Sequence, residues 1–143
     1  MSITRHNLSV IIVSFKSDYV IENCIKSIDK EIEIIIIENS NNYDFKNKIE
    51  SKYKNVKCIL SEENLGMGAG NNLGIEYSDK EYVFILNPDT CLESNSLDEI
   101  INASKNIENF ALIAPISNKD KYPNYTLKKD ITFDPTNPFQ VNS

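Results

Sequence analysis

Four short apolar runs decide what this chain can fold into. Leu8–Val13 and Ile32–Ile37 are rich in β-branched side chains and too short for typical helices, so they read as strands buried on both faces. Val56–Leu60 and Tyr82–Leu86 read as two further strands. Between them the apolar spacing changes. Val20, Ile21, Cys24, Ile25 and Ile28 recur at helical intervals, with Asp18 placed to cap the helix. Phe45, Ile49 and Tyr53 are four apart in an amphipathic segment over 43–53, and Leu97, Ile100, Ile101 and Ser104 mark another helix. Ala111–Ala114 reads as a last short strand. Strands that alternate with helices need crossover connections, so the expected fold is α/β: a mainly parallel sheet with helices on both faces.

With 143 residues, 41% of them hydrophobic, the chain suffices for one domain with a real core. The domain is expected over 1–116. The polar, proline-punctuated stretch 117–143 follows as a tail or as the start of an acceptor-binding region. Fifteen Lys and Arg against 21 Asp and Glu give a net charge of −6, which excludes a basic surface for nucleic acid. Anionic ligands then need local help from a metal, backbone amides or a helix N-terminus. Cys24, Cys58 and Cys91 are odd in number and far apart, fitting neither a disulfide framework nor a zinc site. His6, the only histidine, reads as a solvated residue ahead of the first strand. No apolar run approaches the roughly 20 residues of a membrane span, and the first residues lack the pattern of a signal peptide. A cytoplasmic location is expected; no oligomeric state is legible.

Parallel α/β sheets bind ligands beyond the carboxyl ends of their strands. Those ends carry Ser14-Phe15, Glu38-Asn39-Ser40, Glu62-Glu63-Asn64 and Asn87-Pro88-Asp89. A carboxylate just past an apolar strand must be solvated, hydrogen-bonded or bound to a cation. Asp89 therefore suits Mg²⁺ or Mn²⁺ shared with a diphosphate, with Asn87 adding an oxygen or a hydrogen bond; it equally suits a turn or a helix cap. Asn39 and its neighbours either turn the chain or read a base and ribose. The stretch Asn64–Gly74 holds all four glycines. It either lets a backbone approach a ligand closely or forms a flexible loop entering a helix near Asn71-Asn72.

Taken together, Leu8–Phe15, Ile34–Ser40, Asn64–Ile75 and Tyr82–Thr90 resemble, in order and spacing, the GT-A glycosyltransferases of family 2, over about residues 8–116. Leu86-Asn87-Pro88-Asp89 looks like the rhamnosyltransferase branch. The resemblance implies a Rossmann-like nucleotide-sugar-binding domain. Its reaction would move a sugar from a nucleoside-diphosphate donor, with dTDP-rhamnose expected, to a hydroxyl on a saccharide or lipid-linked acceptor, usually with inversion. By that similarity Ser14 and Phe15 line the nucleoside pocket, Glu38 contacts the base and Asp89 holds the divalent metal. The candidate donor-binding set is Ser14, Phe15, Glu38, Asn39, Asn64, Gly66, Asn72 and Asn87. Two departures stand out. Glu38 replaces the usual aspartate, and no segment of the tail, Asp120, Asp130 and Asp134 included, matches the family's catalytic-base motif.

Two rival readings follow from the same residues. A dinucleotide-binding fold would explain a strand followed by glycines, with Asp89 about twenty residues on, but the glycines here do not run G-x-G-x-x-G. The other rival is a donor-binding half that binds nucleotide without transferring sugar.

Overall fold

The structure, a computed structural model, describes residues 2–107 and 110–114. After a 3-10 turn at Arg5–Asn7, the elements are β1 (Leu8–Ser14), α1 (Ile21–Ser27), β2 (Glu33–Glu38), α2 (Tyr43–Lys52), β3 (Val56–Leu60), α3 (Gly66–Tyr77), β4 (Tyr82–Leu86) and α4 (Ser96–Lys105). All strand pairings are parallel, in the order β3-β2-β1-β4. The expected α/β fold with helices on both faces is what forms.

The layers follow from the alternation of side chains along buried strands. Val10, Ile12, Ile34 and Ile36 point to one face, where they pack with Ile21, Cys24 and Ile25 of α1, Phe45 and Ile49 of α2, and Leu97 and Ile101 of α4. Ile11, Val13, Ile35 and Ile37 point to the other, against Leu73 of α3. The unequal split has a topological cause. The chain winds from β1 to β3 in one direction and then reverses to reach β4 on the far side of β1. Right-handed crossovers in opposite directions must lie on opposite faces, so α3 stands alone.

The glycine stretch differs most from expectation. It is neither a loop nor a late-starting helix: α3 begins at Gly66, whose φ of +71° is one that glycine tolerates. A Cβ on Gly74 would collide with Cγ2 of Ile11, and one on Gly70 would lie 2.9 Å from Cγ1 of Val13. Their close backbone approach is to the sheet. That packing overrides glycine's poor helix propensity.

Two smaller expectations also change. Asp18 does not cap α1, whose N-cap is Val20 without a side-chain bond; Asp18 instead accepts from Asn42 Nδ2 at 3.5 Å. Ala111–Ala114 forms no strand, although nearby Phe110 stacks on Tyr82 at 5.9 Å between ring centroids. Among the described residues the sheet has four strands, and no helix is long and apolar enough to cross a membrane. The whole 117–143 segment, Asp120, Asp130 and Asp134 included, lies outside the described residues.

Candidate functional site at the carboxyl edge of the sheet

The reversal of winding puts the switch point of the strand order between β1 and β4, and the loops leaving these two strands, toward α1 and α4 on one face, lie side by side at the carboxyl edge. Open parallel sheets take ligands beyond the carboxyl ends of their strands, where the strand order reverses. On one side stand Ser14, Phe15 and Lys16; on the other stand Asn87, Pro88 and Asp89.

Ser14 and Glu38 end β1 and β2 as register partners, and both are fully buried. Each ends with a polar atom, Ser14 Oγ and Glu38 Oε2, that has no hydrogen-bond partner among the described residues. Glu33 Oε2 is a third such atom, at the opposite end of β2. The other oxygen of Glu38, Oε1, accepts from the Ser40 hydroxyl and from the Ser40 amide at 2.6 Å. One carboxylate oxygen is thus fixed and the other uncommitted. An unsatisfied buried polar atom costs about 1–3 kcal/mol, so two adjacent ones at the carboxyl ends of neighbouring strands mark this edge as the candidate site.

Asn39 is buried and its amide is already employed. Nδ2 donates to Gly66 O at 3.3 Å, and Oδ1 lies 3.0 Å from the Ser61 hydroxyl, whose single proton is also within reach of Glu63 O. The residue ties the ends of β2 and β3 to the first turn of α3. Asn64 accepts from the Gly66 amide at 3.0 Å, an Asx turn that delivers the chain into α3. Asn72 is exposed farther along α3, away from the strand ends. Of the expected set, Ser14, Phe15, Glu38, Asn39, Asn64 and Gly66 gather at the edge, with Asn87 and Asp89 across the switch point. Asn72 stands apart.

The loop after β4 is held from below by α1. Thr90 N donates to Asn87 O at 3.1 Å, the Cys24 thiol approaches the same carbonyl at 3.6 Å, and Leu92 N donates to Ser27 Oγ at 3.0 Å. Two residues one turn apart on α1 therefore fix the segment that presents Asp89. Asp89 itself is exposed and makes no ion pair or hydrogen bond with the described residues. Burial pushes the Cys24 thiol up to about 12, so Cys24 acts here as packing and not as a nucleophile.

Among the described residues no group of three or more His, Cys, Asp or Glu could hold a metal ion. That donor set does not build an all-protein cage. It does fit Mg²⁺ or Mn²⁺, which take one or two carboxylates and draw further oxygens from substrate phosphates.

Comparison with known proteins decides the family. The model of glycosyl transferase family 2 matches residues 9–142. The chain belongs to glycosyl transferase family 2. Among solved structures, the 1–349 fragment of S. aureus TarS superposes with a TM-score of 0.59 at 22% identity, covering 68% of this chain and 32% of that one. The mannosyltransferase PcManGT from Pyrobaculum calidifontis, solved with GDP-Man and Mn²⁺, gives a TM-score of 0.60 at 16% identity, covering 71% and 32%. At these identities the likeness shows the fold. The chain spans about a third of the length of these two structures. No curated protein sequence matches it.

The sequence reading passed over two residues. Ser61 carried no motif, and its part in holding Asn39 depends on a contact across 22 positions. Lys16 carried no motif either; its backbone geometry is the signal, and only the structure shows it.

Proposed function

We propose that the carboxyl edge of this sheet binds a nucleoside-diphosphate sugar and serves as the donor site of a family 2 glycosyltransferase. One observation carries the reading: the register-paired Ser14 and Glu38 keep buried, unpartnered polar atoms beside a switch point whose other wall presents a free carboxylate, Asp89. A carboxylate only accepts, so Glu38 Oε2 suits a base edge that donates, as thymine, uracil and guanine do through a ring N–H. Phe15, 46% exposed, offers a ring face for stacking. Asp89 would hold a divalent cation jointly with the diphosphate. Such a cation, when bound, neutralises charge on the departing group. The Mn²⁺ and GDP-Man in the PcManGT structure support a donor of this class.

The rhamnosyltransferase look of Leu86–Asp89 favours dTDP-rhamnose as donor, and transfer with inversion to a saccharide or lipid-linked hydroxyl is the reaction proposed. Transfer also needs an oriented acceptor and a base within hydrogen-bond reach of its hydroxyl. No described residue is assigned that role. The activity expected of these 143 residues is donor binding with at most slow donor hydrolysis. The dinucleotide reading loses its main support, because Gly70 and Gly74 face the sheet.

Calorimetric titration with dTDP, UDP and GDP, each with and without Mn²⁺, tests the proposal. At least one is expected to bind, more tightly with Mn²⁺, and Asp89→Asn is expected to remove the enhancement while the fold survives. Binding of NADH with none of the three would replace this reading with the dinucleotide one.

A further inference from the structure

Lys16 holds a left-handed backbone, with φ of +54° immediately beyond β1. Among the described residues only one other non-glycine does so, Asn41 at +56°, and asparagine tolerates that region far better than lysine. A residue held in a sparsely populated conformation at a strand end is a pointer to function. Its ammonium lies 5.3 Å from the centroid of Phe15, over the exposed ring.

Charge sharpens the pointer. The loops leaving β1 to β4 carry Asp18, Glu62, Glu63, Asp89 and Glu93, and Lys16 is their only Lys or Arg. It makes no ion pair with the described residues, and of the lysines of which that is true, Lys30, Lys54, Lys57 and Lys105 being the others, it alone lies in a loop that leaves a strand at this edge. An acidic edge repels a diphosphate unless cations meet it, and Lys16 stands at the wall of the switch point opposite Asp89.

We infer that Lys16 is the anion-binding residue of this site: its ammonium, which rests on the Phe15 ring, leaves it to pair with the diphosphate when a nucleoside diphosphate stacks there. The inference rests on the nucleotide reading above and adds to it a specificity for phosphate-bearing ligands. The left-handed turn at Lys16 starts the ammonium beside the ring, and four rotatable bonds let it swing to the phosphates.

The test compares the full chain with Lys16→Gln and Lys16→Arg by calorimetry. The ligands are dTDP, UDP, GDP and the matching nucleosides, in EDTA and in Mn²⁺. Because Lys16 is exposed, both variants are expected to melt as wild type does. Lys16→Gln is expected to weaken the bound diphosphate by about tenfold or more, the scale of one charge-assisted hydrogen bond. Its nucleoside affinity should stay level or rise, since the ring face is uncovered. Lys16→Arg should keep most diphosphate binding, and added salt should weaken wild type more than Lys16→Gln. Equal diphosphate affinity in wild type and Lys16→Gln, or equal losses for nucleoside and diphosphate, overturns the inference while leaving the nucleotide site standing. No binding of any nucleoside diphosphate by wild type overturns the nucleotide reading and this inference together.

Discussion

Replacing the glycines of α3 one at a time by alanine tests the packing that builds the site. Gly66 apart, whose positive φ opposes any side chain, the other three positions differ in what an added methyl meets: at Gly68 nothing lies within 4 Å, at Gly70 the two Val13 methyls stand at 2.9 and 3.0 Å, and at Gly74 the methyl collides with Ile11. Alanine stabilises an open helical position by about 0.5–1 kcal/mol relative to glycine. Forcing a methyl into a filled core costs about 1–3 kcal/mol. Ile11 is fully buried on a central strand, so it has no room to swing away, and the upper part of that range applies. Gly68→Ala should therefore gain up to about 1 kcal/mol, and Gly74→Ala should lose about 1–2 kcal/mol net. Gly70→Ala should fall between them, because a valine methyl can shift by a few tenths of an ångström. Urea unfolding followed by circular dichroism reads all three against wild type, and in thermal melts each kcal/mol moves the midpoint by about 4 °C. A Gly74→Ala variant as stable as Gly68→Ala would refute the close approach of α3 to β1.

Two further predictions concern ionisable groups. Hydrogen bonds from Lys52 and then Lys48 on α2 hold the Glu22 carboxyl of α1 down to about 2 from its ordinary 4.5. Its contribution is therefore present above about pH 4.5 and lost as pH falls toward 2; Glu22→Gln should flatten that part of a stability-versus-pH curve, by no more than about 1 kcal/mol for a surface cluster, and less in high salt. Burial pushes the thiols of Cys24 and Cys58 up to about 12, while Cys91 is exposed. A disulfide reagent at pH 8 should thus label Cys91 quickly and the other two only on unfolding; fast labelling of all three contradicts the buried placement.

Runs of β-branched residues made the strands legible, because a strand buried on both faces needs no alternation to be recognised. Val56–Leu60 and Tyr82–Leu86 form as read. β1 and β2 each run one residue further, to Ser14 and Glu38, since an apolar run stops at a polar residue even when the ladder continues. That extra step buries both side chains at the carboxyl edge of the sheet. The early start of α3 was illegible for a different reason: glycine signals a break locally, and only the nearness of Ile11 and Val13 explains why the helix wants it. Asn39 was readable as polar and edge-placed, but its engagement with Ser61 and Gly66 depends on contacts distant in sequence. Lys16 illustrates the same limit, since φ is not written in composition.

The claim on which the rest depends is that ligand enters at the carboxyl edge between β1 and β4. Amide chemical-shift mapping during titration with a nucleoside diphosphate and Mg²⁺ tests it most directly. Shifts are expected to concentrate in residues 14–18, 38–41, 61–66 and 87–90. Shifts confined to the opposite edge, around Arg5, Asn55 and Lys80, or none at saturating ligand, would contradict it.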